Sequence, residues 1–186
     1  MRETSTVGPP PRGVAHQEIP LTPHRFAIAE ASLRTPADVP APVPLEILQT
    51  AHCRVADFPD GAAFARGDEL AAFVAPLTDG LRGVAMIGME PEAILRVLAP
   101  LAGSDVPEAW SELAAGLLRA IAARLGDAAC GPGRLHEGSI VEAVVETHAP
   151  PDITVLSAQA TIAGEPAGIC VLLDPKELGG DPNELG

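Results

Sequence analysis

From Trp110 onward the apolar residues Trp110, Leu113, Leu117, Ile121 and Leu125 recur at steps of three and four, the period of one helix face. Asp105 stands ahead of this run as a cap with Glu108 three residues on, and Gly126 stands where a helix ends. The pattern predicts a long amphipathic helix over 105–126. Pro91–Ala99 (PEAILRVLA) predicts a shorter helix, with proline and glutamate in the first turn and Pro100 and Gly103 closing it. Glu69–Leu77 and Leu81–Met89 predict two strands around a Thr78-Asp79-Gly80 turn. Leu45–Val55 (LEILQTAHCRV) predicts a short helix. The C-terminal third predicts a three-strand meander: Ser139–Thr147, Ile153–Ile162 and, after a tight turn at Gly164-Glu165-Pro166, Ala167–Leu173. Short loops imply antiparallel pairing. Helices grouped between runs of strands imply an α+β fold.

Proline sets the expected domain limits. Residues 1–44 hold nine of the 20 prolines, a density that removes amide donors and opposes regular interiors. This segment is expected to be a disordered Pro-rich arm, in which Phe26–Leu33 forms either a short docking helix or a spacer. A single domain follows over 45–175, and 176–186 is expected to be a tail.

Composition narrows the functional classes. The chain of 186 residues is 47% hydrophobic with mean hydropathy +0.21, yet only 3% aromatic, so its core is built from aliphatic residues. A net charge of −13, with Lys176 the single lysine, argues against nucleic acid and anionic membrane as partners. Cys53, Cys130 and Cys170 are odd in number and without a CxxC spacing, so they read as core thiols in a reducing compartment, with no metal site expected. His52, beside Cys53, has no second ligand pair near it, and no cofactor is implied. Neither a membrane-length apolar run nor a secretory pattern is present, which makes a cytoplasmic protein the expectation.

Candidate chemistry lies on the long helix. Glu108, Glu112, Ala115 and Arg119 share one face of it, opposite the apolar stripe. The stretches GLRGVAMIGMEPEAILRVLAPLAG (Gly80–Gly103), SELAAGLLRAIAARLG (Ser111–Gly126) and GEPAGICVLLD (Gly164–Asp174), in this order, resemble the CheC/CheX/FliY family of chemotaxis phosphatases. The element order is similar to that of the CheX type, and the family's signature reads Asp/Ser-x-x-x-Glu-x-x-Asn. It implies a CheC/CheX-like α+β domain that acts on a phosphorylated receiver domain of the CheY kind. It also implies that Glu112 pairs with the receiver's lysine and that Glu108 holds the Asp/Ser position. Ala115 then occupies the place of the Asn that orients the attacking water.

A methyl group neither donates nor accepts a hydrogen bond, so Ala115 cannot position that water. The only Asn of the chain is Asn183. The expected function is therefore a non-catalytic binder of a response-regulator receiver domain through Glu108, Glu112, Ala115 and Arg119. An active phosphatase would need an amide elsewhere, and Gln49, in the Glu46-x-x-Gln49 run, is the candidate. A third reading is a structural module that homodimerises through an exposed sheet edge.

Overall fold

The computed structural model describes residues 28–34, 40–64, 70–79, 82–99, 105–126, 129–147 and 149–173. Most of the expected arm, the tail, the Pro100–Gly103 turn and His148 lie outside them. The described residues form a mixed α+β fold, one antiparallel sheet with helices on both faces. Its strands are β1 (Ile28–Arg34), β2 (Pro40–Arg54), β3 (Ala71–Thr78), β4 (Gly83–Met89), β5 (Ala129–Cys130), β6 (Arg134–Leu135), β7 (Thr154–Ile162) and β8 (Glu165–Leu173). The helices are α1 (Pro91–Leu98), α2 (Val106–Gly126) and α3 (Ile140–Glu146), with a 3-10 turn at Val55–Asp57. The sheet runs β1-β2-β7-β8-β4-β3-β5, and β6 also pairs with β3. Its β1 end curls until β1 lies against α2.

One expected helix, and one segment expected as a docking helix or a spacer, are strands. Phe26–Leu33 overlaps β1, and Leu45–Val55 lies in β2 as far as Arg54, with Val55 opening the 3-10 turn; β2 begins at Pro40, ahead of the domain limit expected at residue 45. The local alternation was present: Val43, Leu45 and Ile47 are buried, whereas Pro42, Pro44 and Glu46 are exposed. Prolines fit here because of where their missing amides fall. The Pro44 carbonyl accepts from Ala163 N–H at 2.9 Å, so Pro44 and its same-parity neighbours Pro42 and Pro40 turn their backbone polar groups away from β1. The β2–β7 ladder begins only at Leu45, so no strand asks those positions for a donor. An irregularity between Ile47 and Gln49 then breaks the alternation, so that Leu48, 51% exposed, and Gln49 after it are both open.

The third correction lies in the expected meander. Its first member, Ser139–Thr147, is helix α3 with a capping box at its start. The Ser139 hydroxyl accepts from Glu142 N–H at 3.2 Å, and Ser139 N–H donates to Glu142 Oε2 at 2.7 Å. Ile140, Ala143 and Val144 form its buried face. The other two members hold as the β7–β8 hairpin, turned by Ala163 and Gly164, both left-handed at φ 50° and 84°. Asp79 in the β3–β4 connection is left-handed as well, at φ 56°.

Each face of the sheet carries its own apolar cluster. On one, α1 and α2 cover Leu45, Ile47, Phe73, Ile87, Leu156, Ala158 and Ile169. On the other, α3 together with Phe58, Phe64 and Leu70 covers Ala72, Met86, Cys170 and Leu172. Gly88 and Gly168, paired across β4 and β8, make the flat spot that admits α3. A Cβ on Gly88 would stand 2.9 Å from Ile140 Cδ1, and one on Gly168 2.9 Å from Leu70 Cδ1. No described helix is long and apolar enough to cross a membrane.

Candidate functional site

The long helix α2 is buried around most of its circumference. The predicted stripe of Trp110, Leu113, Leu117, Ile121 and Leu125 is inside, joined by Ala109, Ala114, Leu118 and Ala122. Burial this broad follows from the curl of the sheet, which places β1 beside the helix while β4 and β3 lie beneath it. What stays open is a narrow stripe. Glu108, Glu112 and Arg119 are exposed on it, and Ala115 is half-buried, packed against the core. At about 100° per residue these four positions span only about 60° of the helix. The structure thus brings the four residues together as their spacing predicts.

The first turn is tied down locally. Asp105 accepts from Glu108 N–H at 3.3 Å, and the Ser111 hydroxyl donates to the Pro107 carbonyl at 2.9 Å, which turns it onto its own helix. Among the described residues, the side chains of Glu108, Glu112 and Arg119 make no ion pair or hydrogen bond. Arg119 lies near Cys130. Burial pushes the Cys130 thiol up, and the guanidinium charge works in the opposite direction. Cys53 is raised by burial and then by Asp57, and fully buried Cys170 is raised well above the usual range by burial and then by Cys53. All three are free thiols held in the protonated, weakly nucleophilic form.

Gln49 lies elsewhere. It sits on β2 opposite Gln159 of β7. Its β7 neighbours Ala158 and Ala160 point into the layer under α2, so Gln159 and Gln49 point to the opposite face. Because of the irregularity at Leu48, Glu46 joins them there, opposite Thr161. Glu46, Gln49 and Gln159 are all exposed. The first-helix setting expected for Glu46 and Gln49 is therefore replaced by an open sheet face. Sequence reasoning did not single out Gln159, because only long-range register places it beside Gln49.

His136, between β6 and α3, is buried, and its Nε2 lies 2.7 Å from Glu146 Oε2 at the end of α3. Its Nδ1 is buried without a partner, as is Trp110 Nε1. Among the described residues no group of His, Cys, Asp and Glu is placed to hold a metal ion.

Together these features define an α+β domain with an exposed charged stripe on one helix, a helix that carries no Asn or Gln. No family model and no curated protein matches the chain. Among solved structures it is similar in fold to the FliM middle domain from Vibrio alginolyticus (11% identity, TM-score 0.44, covering 77% of this chain and 85% of that one). It is also similar to FliY from Thermotoga maritima (12% identity, TM-score 0.43, covering 73% and 78%). At such identities the likeness concerns the fold alone.

Proposed function

We propose that this chain is a non-catalytic signalling domain whose α2 stripe docks the receiver domain of a response regulator. The observation that carries this reading is the stripe itself: exposed Glu108, Glu112 and Arg119, unpaired among the described residues, around half-buried Ala115. Unpaired surface charges fixed on a rigid helix are available to a partner without first breaking an internal contact. The resemblance of Ser111–Gly126 to the signature helix of receiver phosphatases gives Glu112 a counterpart, the receiver's active-site lysine. Ala115 then removes the water-orienting group while leaving the surface intact.

The test pairs binding with turnover, using a phosphorylated receiver domain from the same organism. The wild-type chain binds without accelerating phosphate release, and Glu112→Arg weakens binding by about tenfold to a hundredfold. Ala115→Asn adds measurable release. Faster release by wild type, or affinity indifferent to Glu112→Arg, would overturn the reading.

One observation favours a second reading. Glu46, Gln49 and Gln159 place a carboxylate and two amides on one exposed sheet face, the chemistry an amide-dependent phosphatase requires. Under that reading turnover falls with Gln49→Ala and is unchanged by Glu112→Arg.

A further inference from the structure

The stripe on α2 is complementary to itself. Glu112 and Arg119 are exposed, opposite in charge, and separated by two helical turns, roughly 10 Å. Between them lie Ala115 and Gly116, both half-buried, with Ala120 and Ala123 just beyond. In an isologous contact, if residue i of one copy meets residue j of the other, then j also meets i. A two-fold axis between Ala115 and Gly116, with the helices antiparallel, sets Glu112 opposite Arg119 of the second copy and Arg119 opposite its Glu112. Each pair then lies about 5 Å along the helix from the axis, inside the contact zone of any ordinary crossing angle.

We propose that a second copy of this chain docks on the same stripe, through an antiparallel α2–α2 contact centred on Ala115 and Gly116. The observations favour a second copy over other occupants in two ways. The order of charge, acid before base along the chain, is matched by the same helix reversed, which also opposes the two helix dipoles. The centre of the contact holds only a methyl group and a hydrogen, so no bulky side chain stands at the axis itself between the two charge pairs. The two side chains that would pair are also unpaired within their own chain among the described residues.

The contact is narrow, and each chain carries −13, so association is weak and most visible where salt screens the net charge. At about 0.15 M ionic strength the Debye length is about 8 Å, long compared with the contact pairs and short compared with the whole molecule. Self-association covers the stripe assigned above to a receiver, so the two contacts exclude each other. The dimer does not depend on the receiver reading.

Sedimentation equilibrium of the full chain from about 10 μM to about 1 mM, a range chosen for a small interface, tests the dimer. The weight-average mass rises from 19.1 kDa towards twice that value. Glu112→Arg alone and Arg119→Glu alone each face like charges across the axis, and each weakens self-association by about tenfold. Mixing the two variants in equal amounts restores opposite charges at both contacts, so the mixture associates within about threefold of wild type. Circular dichroism confirms that each exposed substitution leaves the fold intact. A monomer at every concentration, a dimer indifferent to both variants, or a mixture no tighter than its components would each overturn the proposal. Loss of receiver binding in Glu112→Arg bears on the receiver reading, whereas rescue on mixing is specific to self-association.

Discussion

Replacing Gly88 by alanine tests the least expected part of the fold, the seating of α3 on the sheet. The new Cβ would stand 2.9 Å from Ile140 Cδ1, 3.0 Å from Ile140 Cγ1 and 3.0 Å from Leu70 Cβ. Carbon atoms at rest lie about 3.5–4.0 Å apart, so α3 or the Leu70 segment must move by several tenths of an ångström. Overpacking of this kind costs about 1–3 kcal/mol, and stiffening the unfolded chain returns about 0.4–1 kcal/mol. The expected net loss is about 1–2 kcal/mol, read by urea denaturation followed by circular dichroism, with Tm lower by about 2–8 °C. Ile140→Ala alone costs about 2–4 kcal/mol through the space it leaves. The double variant should lose about 1 kcal/mol less than the two single losses combined, since truncation at 140 removes two of the three crowded atoms. If Gly88→Ala is neutral or stabilising, or the two losses simply add, Ile140 does not sit over Gly88 and the placement of α3 is wrong.

Two further outcomes follow from local contacts. Ser139→Ala removes the capping hydroxyl of α3 and should cost about 1 kcal/mol in the same denaturation assay, whereas an unchanged midpoint would argue that 139–147 is not helical in solution. Arg96 bonds Glu165 through Nε (3.0 Å) and a terminal nitrogen (2.9 Å), and this hydrogen bond holds the Glu165 carboxyl below its usual range. A carboxyl depressed in the folded state stabilises above its unfolded pKa, and that contribution is lost as pH falls through the folded value. The stability gap between wild type and Arg96→Ala should therefore be present at pH 7 and close in acid; a gap independent of pH would exclude the pair as its source.

How much was legible in the sequence differs by element. The α2 helix was fully readable, because five large apolar residues at helical steps, an acidic start and a terminal glycine all agree. The four stripe residues were readable for the same reason, since a helix period fixes which positions share a face. The β3–β4 and β7–β8 hairpins were readable from turn residues flanked by apolar runs. For α3 the local signals conflict. Ser139 and Glu142 spell a capping box, but Ile140, Val141, Val144, Val145 and Thr147 are β-branched and favour a strand; the cap and the buried face against the sheet override that preference.

β2 shows where local pattern runs out. Three prolines in alternate positions oppose a strand only if a neighbour needs their amides, and which neighbour lies on that side is decided by the β2–β7 register, more than a hundred residues away. The face of Gln49 is likewise decided by an irregularity at Leu48 and by pairing with Gln159. Local propensity, turn chemistry and periodicity belong to the chain itself, so the sequence alone determined the long helix, its charged stripe and the absence of an amide there. Register, sheet curl and the seating of one layer on another are sums of long-range contacts. Only the tertiary structure therefore decided that α2 is open along one narrow stripe, and that Gln49 and Gln159 lie on the opposite face of the sheet.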